Sequence, residues 1–69
     1  MSKQEDLETI HESLVNGNRR QMVEQIDEYG VYDFWADYRD FLWDTCQSPK
    51  AEFAYFADAT VSYFRIKSR

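Results

Sequence analysis

Side chains able to do covalent chemistry are few in this sequence and sit far apart. The only histidine is His11 and the only cysteine is Cys46. Nucleophilic catalysis needs a serine or cysteine beside a base that a third group orients. His11 falls instead within the apolar helical stripe Leu7, Ile10, Leu14 and Val15, where a lone imidazole reads as a packed, hydrogen-bonded residue. Cys46 ends a different segment and reads as a small buried apolar group. One cysteine and one histidine can close neither an internal disulfide nor a structural zinc site. The glycines, Gly17 and Gly30, stand where helices stop, so no phosphate-cradling loop is present. The expectation is a protein that is not an enzyme and carries no cofactor.

The carboxylates are more ordered. In DFWADYRDFLWDTC, Asp33, Asp37, Asp40 and Asp44 are spaced 4, 3 and 4 apart, which at about 100° per residue puts them in one stripe of a helix. Phe34, Trp35, Tyr38, Phe41 and Leu42 occupy the opposite arc, Trp43 lies at its margin, and Arg39 is the segment's one cation. Aspartates at these spacings can share a cation. Calcium loops, however, need ligands on a turning backbone, and di-metal bundles need Glu-x-x-His pairs, so no metal site is expected. A solvated face is the ordinary fate of such residues. Yet aspartate is a mediocre helix former, and like charges four residues apart repel. A ridge of one sign therefore also reads as a docking surface for a basic protein.

Asp27 and Glu28, from the preceding helix, extend that ridge alongside Asp37, Asp40 and Asp44, with Asp33 expected to be spent as a helix cap. Successive carboxylates about 5 to 6 Å apart along the axis approach the scale of nucleic-acid phosphates. Nucleic-acid mimicry is one form the docking can take; any basic partner would serve. The chain holds twelve aromatic residues, all from Tyr29 onward. Core is the default place for each ring, but twelve exceed what four short helices can enclose. Trp35, Trp43 and Tyr55 are expected at the surface, where they would complete the partner-binding set.

Four elements must position these groups. Ser2 and Glu5 have capping-box spacing, and a helix over 3–15 buries Leu7, Ile10, Leu14 and Val15 while Asp6, Glu8, Thr9, Glu12 and Ser13 face away. Asn16-Gly17 stops it, and Asn18 with Gln21 repeats the capping pattern. A helix over 19–29 buries Met22, Val23, Ile26 and Tyr29 and exposes Arg20, Glu24, Asp27 and Glu28. Gly30 ends it, Val31 and Tyr32 pin the turn, and Asp33 caps a third helix over 34–46. Ser48-Pro49 starts a fourth, over 49–66. Its main face is read as Phe53, Phe56, Ala57, Thr60, Tyr63 and Phe64 with Val61 at the edge, a minor strip as Tyr55, Ala59 and Ile66, and its wet side as Asp58, Ser62 and Arg65. The β-branched and aromatic run over 60–66 has strand as its rival reading. A lone strand would have nothing to pair with. The fold expected is all-α: one domain over residues 1–69, a compact bundle of about four short helices.

Charge and length narrow the partners. Thirteen acids against eight bases give −5, which disfavours direct contact with nucleic acid, since phosphate binding needs a basic face. Residues 24–44 carry seven acids against Arg39 alone, while Arg65, Lys67 and Arg69 end the chain without an acid. No apolar run reaches the roughly 20 residues needed to cross a bilayer, so no membrane partner is expected. The segment MSKQEDLE lacks a signal-peptide core, so a cytoplasmic location is expected. A 69-residue chain has a narrow stability margin, and a homo-oligomer is the staple that remains.

The segments LVNGNRRQMVEQIDEYGVYDFWADYRDFL and VSYFRIKSR together resemble, in style, the small accessory proteins of tailed bacteriophages. Such proteins often act by binding and inhibiting host proteins, defence nucleases among them. The resemblance implies a phage effector docking on a basic host protein; it assigns no binding residues. The alternatives are a structural or assembly protein that self-associates through aromatic helix faces and, third, a small-ligand sequestering protein.

Overall fold

Each helix in this chain begins and ends for a local reason. The computed structural model describes residues 2–68 and contains α1 (Lys3–Val15), α2 (Arg19–Tyr29), α3 (Val31–Cys46) and α4 (Pro49–Lys67), with no strand among the described residues. Ser2 is extended, and its hydroxyl accepts the Glu5 N–H at 3.3 Å, which supplies one half of the expected capping box. Gly17, at φ +80°, turns the chain out of α1. Asn18 does not cap the backbone of α2; its amide donates to the Gln21 side chain instead. Ser48 is extended and accepts the Ala51 N–H, with Pro49 at the first helical position of α4. Residues 60–66 are helical, so the strand reading fails.

The corner between α2 and α3 is tighter than the sequence pattern implies. Gly30 alone separates them, at φ 111° and ψ 115°, ending α2 through its N–H to the Ile26 carbonyl (3.0 Å) and opening α3 by accepting the Phe34 N–H (2.7 Å). An L-residue avoids that region of backbone space. α3 therefore starts at Val31, and Asp33 lies in its first turn rather than at its cap, where a carboxylate favours the positive end of the helix dipole. Tyr32 pins nothing: it is 91% exposed.

Leu7, Ile10 and Leu14 of α1, Met22, Val23 and Ile26 of α2, Phe34, Tyr38, Phe41 and Leu42 of α3, and Ala59 and Tyr63 of α4 form one continuous core. The radius of gyration, 11.1 Å, matches the value of about 11 Å expected of a fully folded chain this long. On α1, Leu7, Ile10 and Leu14 are buried as the sequence implies, while Val15 is exposed and Ser13 buried. The reason is polar: the Ser13 hydroxyl donates to the Gln25 side chain at 2.8 Å, tying α1 to α2.

The rotation of α4 differs more. Ala59, Ser62 and Tyr63 are buried, Tyr55, Phe56 and Ile66 pack at the core's edge, and Phe53, Val61 and Phe64 stand in water. Ser62, expected on the wet side, is held inside because the Arg19 Nε–H donates to its hydroxyl at 3.0 Å while that hydroxyl reaches Asp58 at 3.2 Å. Apolar residues occupy most of this helix's circumference, so burial alone leaves its rotation open. Polar ties from α2 and the Trp35 contacts with Phe56 and Tyr63 both favour the observed one.

An added Cβ at Gly30 would meet Asp33 at 3.6 Å, an ordinary contact, so Gly30→Ala isolates the backbone cost. Allowing for the lower entropy of the unfolded variant, a net loss of about 1–2 kcal/mol is expected. It should appear as a lower urea midpoint at unchanged slope; an unchanged midpoint would contradict the corner geometry.

Candidate functional site

α3 carries the most information per turn, and its buried side sets the rest. Phe34 and Tyr38 stack at 4.8 Å between centroids, and Tyr38 stacks on Phe41 at 5.9 Å. Trp35 points toward α4 and meets Phe56 and Tyr63 edge-on at 5.7 and 5.8 Å. Trp35 is therefore half-buried packing rather than free surface. Tyr55 is likewise half-buried, its ring 4.9 Å from His11. Of the three rings expected outside, only Trp43 is exposed, at 60%.

The carboxylates divide in the same way. Asp27 does not join the α3 aspartates, because it turns to α4, accepting the Tyr63 O–H at 2.7 Å and the Lys67 ammonium at 2.9 Å. The Lys67 hydrogen bond, then that of Tyr63, holds its carboxyl below the usual range. Glu28 borders a shallow groove between α1 and α2 with Glu5 and Asp6. Asp37, Asp40 and Asp44 line the groove between α1 and α3, where Lys3 is the one cation. Asp37 is partly engaged: it accepts the Tyr29 O–H at 2.6 Å and lies 3.9 Å from the Lys3 ammonium. Burial raises the Tyr29 hydroxyl's pKa, and the Asp37 hydrogen bond and the charges of Asp37, Asp33 and Asp6 add to the rise. Tyr29 thus marks the centre of an acidic side built by three helices. The sequence ridge contained Asp33 and Asp37 but not Asp6.

Asp33, Asp40 and Asp44 remain exposed along α3. Beside them on the same solvent side run Tyr32, Ala36, Arg39 and Trp43, again spaced 4, 3 and 4. The outward face of α3 is a ring-bearing stripe next to an acidic one. Reading the aspartate ridge alone hides this second stripe, although its spacing was available in the sequence.

His11 is half-buried against the rings of Tyr38, Phe41 and Tyr55. Its Nδ1 lies 2.8 Å from the Tyr38 hydroxyl, and among the described residues no carboxylate is hydrogen-bonded to the ring. Burial lowers the imidazole pKa. Among the described residues no group of three His, Cys, Asp or Glu side chains is placed to hold a metal ion, and no helix is long and apolar enough to cross a membrane. No family model, curated protein or solved structure was found to match the chain.

The lowered histidine pKa carries a linkage consequence. The unfolded chain takes up a proton at His11 near pH 6.5, while the folded chain resists it until lower pH. Stability complete above pH 6.5 is thus lost as the pH falls from there through the folded pKa. Asp27, held below the ordinary aspartate pKa of 3.8, titrates beneath this window. Proton NMR should show the His11 ring titrating below 6.5, and His11→Gln should flatten the drop in urea midpoint between pH 7 and 5. A ring midpoint at or above 6.5 would remove the linkage.

Proposed function

We propose that this chain is a non-enzymatic, cytoplasmic protein that works by binding another protein, with the outward face of α3 as its contact. One observation carries the reading: Tyr32 and Trp43, 91% and 60% exposed, stand on the same side of the helix as the exposed Asp33, Asp40 and Asp44. Large aromatic side chains in water cost solvation that only burial recovers. Trp and Tyr are also the rings that most often anchor an interface. The adjacent carboxylates favour a basic partner surface and orient it. On this reading the rings supply affinity and the charges supply register.

The earlier partner-binding set contracts accordingly. Asp27 is engaged by α4, Trp35 and Tyr55 are engaged by core rings, and Glu28 lies in the α1–α2 groove. Asp40, Asp44 and Trp43 stay, Asp37 contributes with its remaining lone pairs, and Tyr32 and Asp33 join them. A phage effector acting on a basic host protein is the setting that the resemblance in style suggests. Nucleic-acid mimicry is its narrower form.

A photo-crosslinking side chain in place of Ala36, exposed between Tyr32 and Trp43 on the same stripe, should capture a basic protein from extract of the native cell at low salt. Capture should fall on the order of tenfold when Asp33, Asp40 and Asp44 are changed together to Asn, a loss of about 1.4 kcal/mol. Added duplex DNA should compete only if the partner is itself a nucleic-acid binder. The same crosslinker at Glu8, exposed on α1, should capture nothing. Capture insensitive to salt and to the three substitutions, or equal from Glu8, would overturn the proposal.

A further inference from the structure

α4 turns a second ring-bearing stripe away from the bundle, and it has a symmetry that the α3 face lacks. Phe53, Ala57, Thr60 and Phe64 follow one another at 4, 3 and 4 residues, with Val61 alongside. Phe53 is 74% exposed, Phe64 58% and Val61 53%. No residue of the stripe is ionisable. Its one hydroxyl, on Thr60, already donates to the Phe56 carbonyl at 2.8 Å. Covering the stripe residues themselves would bury neither a charge nor an unsatisfied donor, the two costs that oppose most surface burial; Arg39 and Glu52 border it in the groove beside Phe53.

We propose that the occupant of this face is a second copy of the chain, with α4 packed antiparallel on α4 across a two-fold axis. The pattern is its own reverse. About a point between residues 58 and 59, Phe53 exchanges with Phe64 and Ala57 with Thr60, so one stripe turned end to end presents ring to ring and small residue to small residue. That is the self-complementarity an isologous interface requires. The small pair at the centre lets the two helices approach closely, while the rings close the ends.

Area supports the pairing. With rings of about 200 Å² each, the exposed fractions of Phe53 and Phe64 leave about 260 Å² of aromatic surface in water per copy, before Val61 is counted. Two copies bring about 500 Å² of ring surface together, which suits the apolar centre of an interface of about 1,200 Å² in total, the small end of the stable range. Charge does not oppose it. Asp37, Asp40 and Asp44 lie along the α1–α3 groove, off the α4 stripe. Lys50 comes level with the other copy's Lys67, an ammonium already paired with Asp27 at 2.9 Å. The pairing uses none of the α3 residues assigned to partner binding, so the two proposals stand or fall separately.

Sedimentation equilibrium from micromolar to millimolar chain should show the mass rising from 8.3 kDa to twice that value and no further. Phe53→Ser with Phe64→Ser should hold the mass at one chain. Because both rings are already in water, the far-ultraviolet circular dichroism of that variant should be unchanged, which separates lost pairing from lost folding. In a Cys46→Ser background, Ala57→Cys with Thr60→Cys should oxidise to a covalent dimer far more completely than Ala57→Cys alone. A single chain at every concentration, growth beyond two chains, or a dimer indifferent to the two serines would overturn the proposal. Equal crosslinking by Ala57→Cys alone would replace the antiparallel arrangement with a parallel one and overturn it as well.

Discussion

The seating of α4 on the core rests on ring contacts from Trp35 to Phe56 and Tyr63 and on two polar ties between α2 and α4. At one end, the Arg19 guanidinium donates to Ser62 and pairs with Asp58 at 3.3 Å; two turns along α2, Asp27 accepts from both Tyr63 and Lys67. The ionised carboxylate of Asp27 is what both donors prefer. Burial and then the Asp27 hydrogen bond raise the Tyr63 pKa, and the Asp27 hydrogen bond raises that of Lys67. Exposed ion pairs add little to stability. Their effect here is on rotation: a helix with apolar residues on most sides has several nearly equivalent ways to lie on a core, and a few directional bonds choose among them.

Choosing that rotation decides which rings stay outside. Phe34, Tyr38, Phe41 and Tyr63 are buried, and Tyr29, Trp35, Tyr55 and Phe56 border the core. Tyr32, Trp43, Phe53 and Phe64 are left in water. They are not scattered, since two lie on the outward side of α3 and two on that of α4, at matching 4, 3, 4 spacing. Four helices of this length enclose only so much side-chain volume at native packing density. The surplus bulk has gone to two adjacent outward faces.

Much of the scaffold was legible in the sequence because helix ends are written locally. Ser2, Gly17, Gly30, Ser48 and Pro49 each act within a turn of their own position, and α1 and α2 have the bounds their signals imply. Asp33 would make a good cap in isolation, yet α3 starts at Val31, because a single glycine can serve as the end of one helix and the start of the next. The site was legible only in part. Hydrophobic periodicity put Phe53 and Phe64 inside and Ser62 outside, and long-range bonds from residues 19 and 27 reversed both. Nothing within α4 announces those partners. The same bonds removed Asp27 from the acidic ridge, and a pair of ring contacts removed Trp35.

Exposed rings on a small protein invite indiscriminate sticking, and the arrangement of charge restricts it. Beside Tyr32 and Trp43 runs a row of aspartates with few cations near it. Two such faces brought together would set carboxylate against carboxylate as water is excluded, a repulsion that strengthens as the local dielectric falls. That repulsion disfavours self-pairing of the α3 face and supports the proposed contact with a surface of opposite sign. The α4 stripe has no charge of its own, and its order of ring, small, small, ring reads the same in reverse, which is the basis of the proposed self-pairing. Two faces of similar aromatic content differ in the company their rings keep: carboxylates on α3, alanine and a satisfied threonine on α4. That difference is the ground for proposing different occupants for them.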